Sequence, residues 1–204
     1  MAPFVVAHRA GNDLALLRRA EGARFAEADV HLFAGRLEVR HLKTLGPLPI
    51  LWDRWYLAPR GTPRLSLRDL LAVARSPLLL DLKGRDPRLA RRVAAELERF
   101  PDADVTVCSR SWRLLEPFGE RAVYSVGSRR QLRALRRRFA GRRLAGISIH
   151  RRLLDAATVA DLKRRAELVV SWPVATVEEA RELGRWGVDG VTTERFEALG
   201  AALA

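Results

Sequence analysis

Eight short apolar runs recur along this 204-residue chain: residues 4–9, 25–33, 77–84, 104–110, 121–128, 144–150, 168–174 and 188–194. Amphipathic stretches of roughly 10 to 15 residues separate them. Continuous apolar runs suit strands buried on both faces of a parallel sheet. Helix starts fall between them: Asp86-Pro87, and Thr176 ahead of Val177-Glu178-Glu179, read as caps. Eight β–α units in series favour a closed (β/α)8 TIM barrel over an open sheet. The expectation is one small barrel domain over residues 1–204. A single interruption stands in it. After the second run, residues 34–41 read as a turn and a return strand, and residues 42–65 as a long loop. Such loops are usually functional, and Trp52, Trp55 and Tyr56 make a lid over the pocket the expectation here, ahead of a lipid contact.

Charge narrows the partners. Lys and Arg number 37 against 24 acids, a net charge of +13, and Lys43, Lys83 and Lys163 are the only lysines. Such a surface would attract nucleic acid, anionic lipid or phosphorylated small molecules, but a genome-wide preference for Arg and Ala codons is the favoured reading of the excess. The densest patch, residues 129–143, carries Leu132, Leu135 and Phe139 at helical spacing, which turns most of its arginines to solvent. It has no aromatic interleaving, and no zinc-finger or RNA-recognition signature appears. A specific nucleic-acid role is therefore not expected; transient contact with an anionic membrane stays open, as does oligomeric state. No apolar stretch approaches the ~20 residues of a membrane span. The opening "MAPFVVAHRAG" lacks the basic region of a signal peptide. Cys108, the single cysteine, excludes an internal disulfide framework and suits a reducing cytoplasm; it reads as a small buried apolar group.

Barrel enzymes place their active residues at the C-terminal strand ends. The first run ends in His8-Arg9. The second carries Glu27 and Asp29 on one face, since side chains alternate along a strand, and His41 follows its return strand. The third ends in Asp81 and Lys83, again on one face. Ser109-Arg110, His150 and Trp172 end the fourth, sixth and seventh. Two acids on one face of an apolar strand are costly unless paired or metal-bound. Glu27, Asp29 and Asp81 offer hard oxygen donors, which suit Mg²⁺ or Ca²⁺ better than zinc. His8 and His41 are candidates for general acid and base. Arg9 and Lys83 are candidates for holding phosphate oxygens. Trp172 is a candidate wall of the substrate pocket, against simple packing. His31 shares the face of Glu27 and Asp29; for it and for His150 a packing role is the favoured reading. Ser109 has no nucleophile-elbow motif around it.

These residues resemble the glycerophosphodiester phosphodiesterase family. Its opening His-Arg-Gly is matched by His8-Arg9-Ala10, its Glu-x-Asp by Glu27-Ala28-Asp29, and its second histidine by His41. Its Pro-x-Leu-x-Glu-x-Leu segment is similar to residues 63–71. Its Glu-x-Lys is similar to Asp81-Leu82-Lys83, and its closing segment to residues 171–194. The likeness spans essentially the whole chain. It departs at Ala10 for glycine, at Leu42 for the aspartate after the second histidine, and at Asp81 for a glutamate. The segment after the first strand is cut to little more than Asn12. Asp-x-Lys also resembles the spider-venom sphingomyelinase D group, but that group lacks His-Arg and is secreted with disulfides. The family resemblance implies a metal-dependent barrel hydrolase that releases glycerol 3-phosphate and an alcohol. Lysophospholipid cleavage to a cyclic phosphate, and a non-catalytic anion-binding barrel, are the alternatives. The preferred alcohol, the metal and the division of labour between the histidines stay open.

Overall fold

The computed structural model describes residues 2–44, 50–53, 56–59, 61 and 64–204. Eight parallel strands make its wall: β1 (Phe4–Ala7), β2 (Phe25–Phe33), β3 (Leu78–Leu82), β4 (Val105–Ser109), β5 (Ala122–Val126), β6 (Leu144–His150), β7 (Ala166–Trp172) and β8 (Gly190–Thr193). Each pairs with its sequence neighbours. β1 pairs with both β2 (Val6 opposite Phe25) and β8 (Phe4 opposite Gly190), so the sheet closes on itself. The expected (β/α)8 barrel is the observed one.

Strand alternation sorts the side chains. Phe4, Val6, Phe25, Leu79, Cys108, Val123, Leu168 and Val170 pack together inside the barrel. Glycine makes room for them: a Cβ at Gly190 would lie 2.3 Å from the Phe4 ring. Outward-facing Val126, Ile147, Ile149 and Val169 meet Leu132, Leu135 and Leu162 of the surrounding helices.

Those helices are α1 (Leu14–Arg19), α2 (Leu67–Val73), α3 (Pro87–Leu97), α4 (Arg129–Arg138), α5 (Ala156–Arg165), α6 (Val177–Trp186) and α7 (Phe196–Leu203). The caps read from sequence are in place: Asp86 accepts from Arg88 N–H at 2.9 Å and Thr176 from Glu179 N–H at 3.2 Å. In α4, Leu132 and Leu135 are buried while the flanking arginines coat the outside. Between β4 and β5 the connection is a 3₁₀ segment, Trp112–Arg121, where an ordinary helix was expected. Pro117 lies inside it, and Gly119 breaks it at φ 50°. No helix of the described residues is long and apolar enough to cross a membrane.

β2 outruns the barrel. Its last residues turn back at Ala34 and Gly35, both at positive φ (46° and 76°), the backbone of a tight two-residue hairpin. The return strand Arg36–Val39 pairs antiparallel with β2, His31 opposite Glu38. The described part of the long excursion that follows is largely strand. Lys43–Thr44, Ile50–Asp53 and Tyr56–Pro59 form a small antiparallel sheet, with the Lys43 ammonium 5.1 Å from the Trp52 ring centroid. Strands of two to four residues are too short to show a period in the sequence. Trp55, and Pro63 at the head of the 63–71 segment, lie outside the described residues.

Candidate active site

The mouth of the barrel begins at the end of β1. Arg9 is held in the left-handed region at φ 59°, a conformation that favours glycine. The turn it starts, Ala10–Asn12, lies hard against β2. A Cβ on Gly11 would stand 2.7 Å from the Ala28 Cβ and 3.2 Å from the Glu27 carbonyl oxygen. This close approach brings Asn12 onto Asp29. The Asn12 Nδ2 donates to Asp29 Oδ2, and its Oδ1 accepts the Asp29 backbone N–H, both at 2.8 Å. The Arg9 backbone N–H donates to Glu27 Oε2 at 2.7 Å.

Glu27 and Asp29 are buried, Asp81 half-buried. Their registers explain the meeting: Asp29 sits opposite Asp81 in the β2–β3 pair. Donor oxygens of Glu27, Asp29 and Asp81 lie within 4.8 Å of one another, close enough to share one ion. The Lys83 ammonium reaches Asp29 Oδ1 at 2.6 Å and also hydrogen-bonds Asp81. Burial pushes the Glu27 carboxyl well above its usual range, and the Asp29 charge adds to that. Burial works against the Asp29 carboxylate too, but the His41 hydrogen bond and the Lys83 charge hold it below its usual range. Asp81 is raised by burial despite Lys83. For Lys83 itself, burial is outweighed by the charges of Asp81, Asp29 and Glu27, and its ammonium is held firmly protonated.

The hairpin after β2 delivers His41. The Arg40 backbone N–H donates to the Asp29 carbonyl at 2.9 Å, which sets the next residue beside that carboxylate. His41 Nδ1 lies 3.0 Å from Asp29 Oδ2, and its Nε2 2.7 Å from the Arg9 guanidinium. Because a guanidinium only donates, Nε2 is the acceptor, and Nδ1 carries the proton to Asp29. On the other side, His8 Nε2 is 3.9 Å from Glu27 Oε2 and Nδ1 is 3.4 Å from Glu194 Oε1. Glu194, just past β8, also lies 3.4 Å from the Arg9 guanidinium. Burial, then the Arg9 charge, pushes the His8 imidazole down to about 4.

All of His8, Arg9, Glu27, Asp29, His41, Asp81 and Lys83 thus converge on one arc of the rim. Trp172, at the end of β7, lies outside this cluster, where the Arg110 guanidinium stands 4.8 Å over its ring and His150 packs edge-on at 4.8 Å. His31 stands away from the cluster's hydrogen bonds; its Nε2 is buried without a partner among the described residues, and burial followed by the Arg40 charge lowers it to about 3. Ser109 is turned outward and donates to the Leu82 carbonyl at 2.9 Å, and Cys108 is buried inside the barrel, its thiol raised by burial. The sequence reading passed over two residues here. Asn12 figured only as the remnant of a shortened segment, and Glu194 not at all. The Asn12–Asp29 contact crosses 17 residues with no periodic signal.

No family model and no curated protein matches the chain. Solved structures do. A phosphodiesterase of Oleispira antarctica, in complex with the product sn-glycerol-3-phosphate, aligns with a TM-score of 0.76 at 20% identity, over 98% of this chain and 96% of its own. The chain has the fold of these phosphodiesterases. A glycerophosphodiester phosphodiesterase from Parabacteroides distasonis aligns at 0.75 and 24% identity, covering 99% and 97%. One from Thermotoga maritima aligns at 0.78 and 18%, covering 99% of both chains. The phosphodiesterase barrel and this one therefore coincide over nearly their whole lengths.

Proposed function

We propose that the protein hydrolyses glycerophosphodiesters to glycerol 3-phosphate and an alcohol. The observation that carries this reading is the convergence of an all-oxygen carboxylate cluster with two histidines and two cations in one barrel mouth. The likeness to phosphodiesterase barrels, one of which holds sn-glycerol-3-phosphate, supports it.

Glu27, Asp29 and Asp81 fit a hard divalent cation, Mg²⁺ or Ca²⁺: their donors are all carboxylate oxygens and lie within reach of one another. Such an ion neutralises phosphate charge and makes a nearby hydroxyl more acidic. The chain's own groups do the rest. Lys83 and Arg9 hold the non-bridging oxygens; Arg9 brings a buried Nε with no partner among the described residues, a donor ready for an oxyanion. Asp29 fixes His41 with its lone pair at Nε2, and the Arg9 bond to that nitrogen must yield for it to take a proton. One histidine, neutral, removes the proton of the attacking hydroxyl, water or the glycerol 2-OH, and the other, in its imidazolium form, gives its proton to the leaving alcohol. The single buried cysteine supports a reducing, cytoplasmic setting.

The deciding assay is release of glycerol 3-phosphate from glycerophosphodiesters with Mg²⁺, Ca²⁺ or chelator, with Glu27→Ala as control. Metal-dependent release that vanishes in the variant is expected. No release with either metal would overturn the reading.

A further inference from the structure

The arc of the mouth that runs on from the carboxylates, over the ends of β4 to β7, is basic. β4 leads into Arg110, two residues beyond Cys108, which pairs with Asp81 in the β3–β4 register. Arg110 is therefore the inward-facing neighbour of Lys83 across the strand pair, and its charge reaches Asp81. Its guanidinium lies in a slot. Trp172 is on one side at 4.8 Å, and on the other stands Gly127, where a Cβ would come within 3.1 Å of the guanidinium carbon. A Cβ at that position would crowd the guanidinium, which would have to shift by a few tenths of an ångström. Gln131 ties the slot together: its Oε1 accepts the Gly127 N–H at 2.8 Å and its Nε2 donates to the Arg110 carbonyl at 3.4 Å.

Arg152 completes the wall. It donates to the Gly127 carbonyl at 3.0 Å, and its backbone N–H donates to His150 Nδ1 at 3.2 Å. That bond leaves the His150 Nε2 as the protonated nitrogen, so it too is a donor. Among the described residues neither Arg110 nor Arg152 lies within ion-pair distance of a carboxylate, whereas Arg151 beside them reaches Glu179 at 3.0 Å. A phosphodiester held as proposed between Lys83, Arg9 and the histidines would have this wall on the Lys83 side for one of its ester arms. A quaternary or primary ammonium there would meet two guanidinium groups, neither of them in an ion pair among the described residues.

We infer that this wall of Arg110, Arg152, His150 and Trp172 is a second anion subsite, selecting glycerophosphodiesters whose alcohol carries a further phosphate. Guanidinium forks match phosphate oxygens bidentately, and the Trp172 face offers the carbon skeleton between the two phosphates an apolar bed. The inference rests on the hydrolase reading for its geometry.

The test compares kcat/KM on three substrates with the same metal. These are glycerophosphocholine (cationic alcohol), glycerophosphoglycerol (neutral) and glycerophosphoglycerol phosphate (anionic). A preference of at least about 10-fold for the anionic substrate over the choline one is expected, the scale of one charged hydrogen bond. In Arg110→Gln and Arg152→Gln, the anionic substrate should lose about 10-fold more than the neutral one, chiefly through KM. Equal rates on all three substrates, a choline preference, or an equal loss on all three in the variants would overturn the subsite. No turnover on any substrate would overturn the hydrolase reading instead. In that event, calorimetric titration with glycerophosphoglycerol phosphate decides the subsite. Binding that weakens in Arg110→Gln upholds it, and no binding sinks it.

Discussion

At the scale of single residues, the candidate site is a set of polar groups each oriented by another. His8→Ala and His41→Ala should each lower kcat by about 10²–10⁴-fold, the usual cost of an acid–base group; near-wild-type turnover in both would remove the histidines from the mechanism. Asn12→Ala should act more gently. It strips Asp29 of a side-chain donor and its backbone N–H of an acceptor, which leaves buried polar groups unsatisfied at about 1–3 kcal/mol. The expected signature is a lower melting temperature together with reduced kcat, read by calorimetry and by the glycerol 3-phosphate assay. The paired acids were legible in the sequence because two carboxylates on one strand face break the apolar pattern. Asn12 and Glu194 were not, because each acts only through a tertiary contact, Asn12 through the approach of its turn to β2 and Glu194 through barrel closure.

Between elements, the decisive contact is that of the β1–α1 turn with β2. Gly11→Ala would set a Cβ 2.7 Å from that of Ala28. The turn must then lift, at about 1–3 kcal/mol for overpacking, and Arg9 and Asn12 move with it. A variant that keeps both its melting temperature and its activity would show that the turn is not held as tightly as the packing implies. On the outer layer, α4 and α5 are joined through Asp161, which accepts from Arg136 at 2.8 Å and Arg165 at 2.9 Å. Burial alone would raise the Asp161 carboxyl; the Arg165 and Arg136 bonds outweigh it and hold it below its ordinary value. A depressed carboxylate stabilises the fold above its unfolded pKa of about 3.9, and that stabilisation is lost as pH falls through the lower folded value. Asp161→Asn should thus cost about 1 kcal/mol at pH 7, the upper end for a surface pair. The gap to wild type in denaturant unfolding should narrow below pH 4. Alternation and caps announced these elements in the sequence. The β4–β5 connection escaped because Pro117 and Gly119 override an apparently helical spacing, and the small sheet of the excursion because its strands are too short to have a period.

For the whole molecule, the barrel was written in the eightfold recurrence of apolar runs, and the strand order follows that sequence order around the ring. What recurrence cannot convey is which charges remain unpaired once the ring is shut. If the carboxylates hold a divalent ion, millimolar Mg²⁺ or Ca²⁺ should raise the melting temperature by mass action, about 2.7 kcal/mol at a hundred times Kd. Glu27→Ala should abolish most of that rise. An equal rise in both proteins would locate the ion elsewhere.

Closure also sets an order of assembly. β1 finds β8 only across 190 − 4 = 186 positions, Phe4 against Gly190, whereas β4 to β7 meet neighbours close by in the chain. Long-range pairings of this kind come late in folding, because loop closure must precede any reward. His8 lies just beyond β1 and Glu194 just beyond β8, so the candidate site straddles the seam of the ring. Its chemistry is therefore expected to be the last thing the chain acquires, and the first it loses when the seam opens.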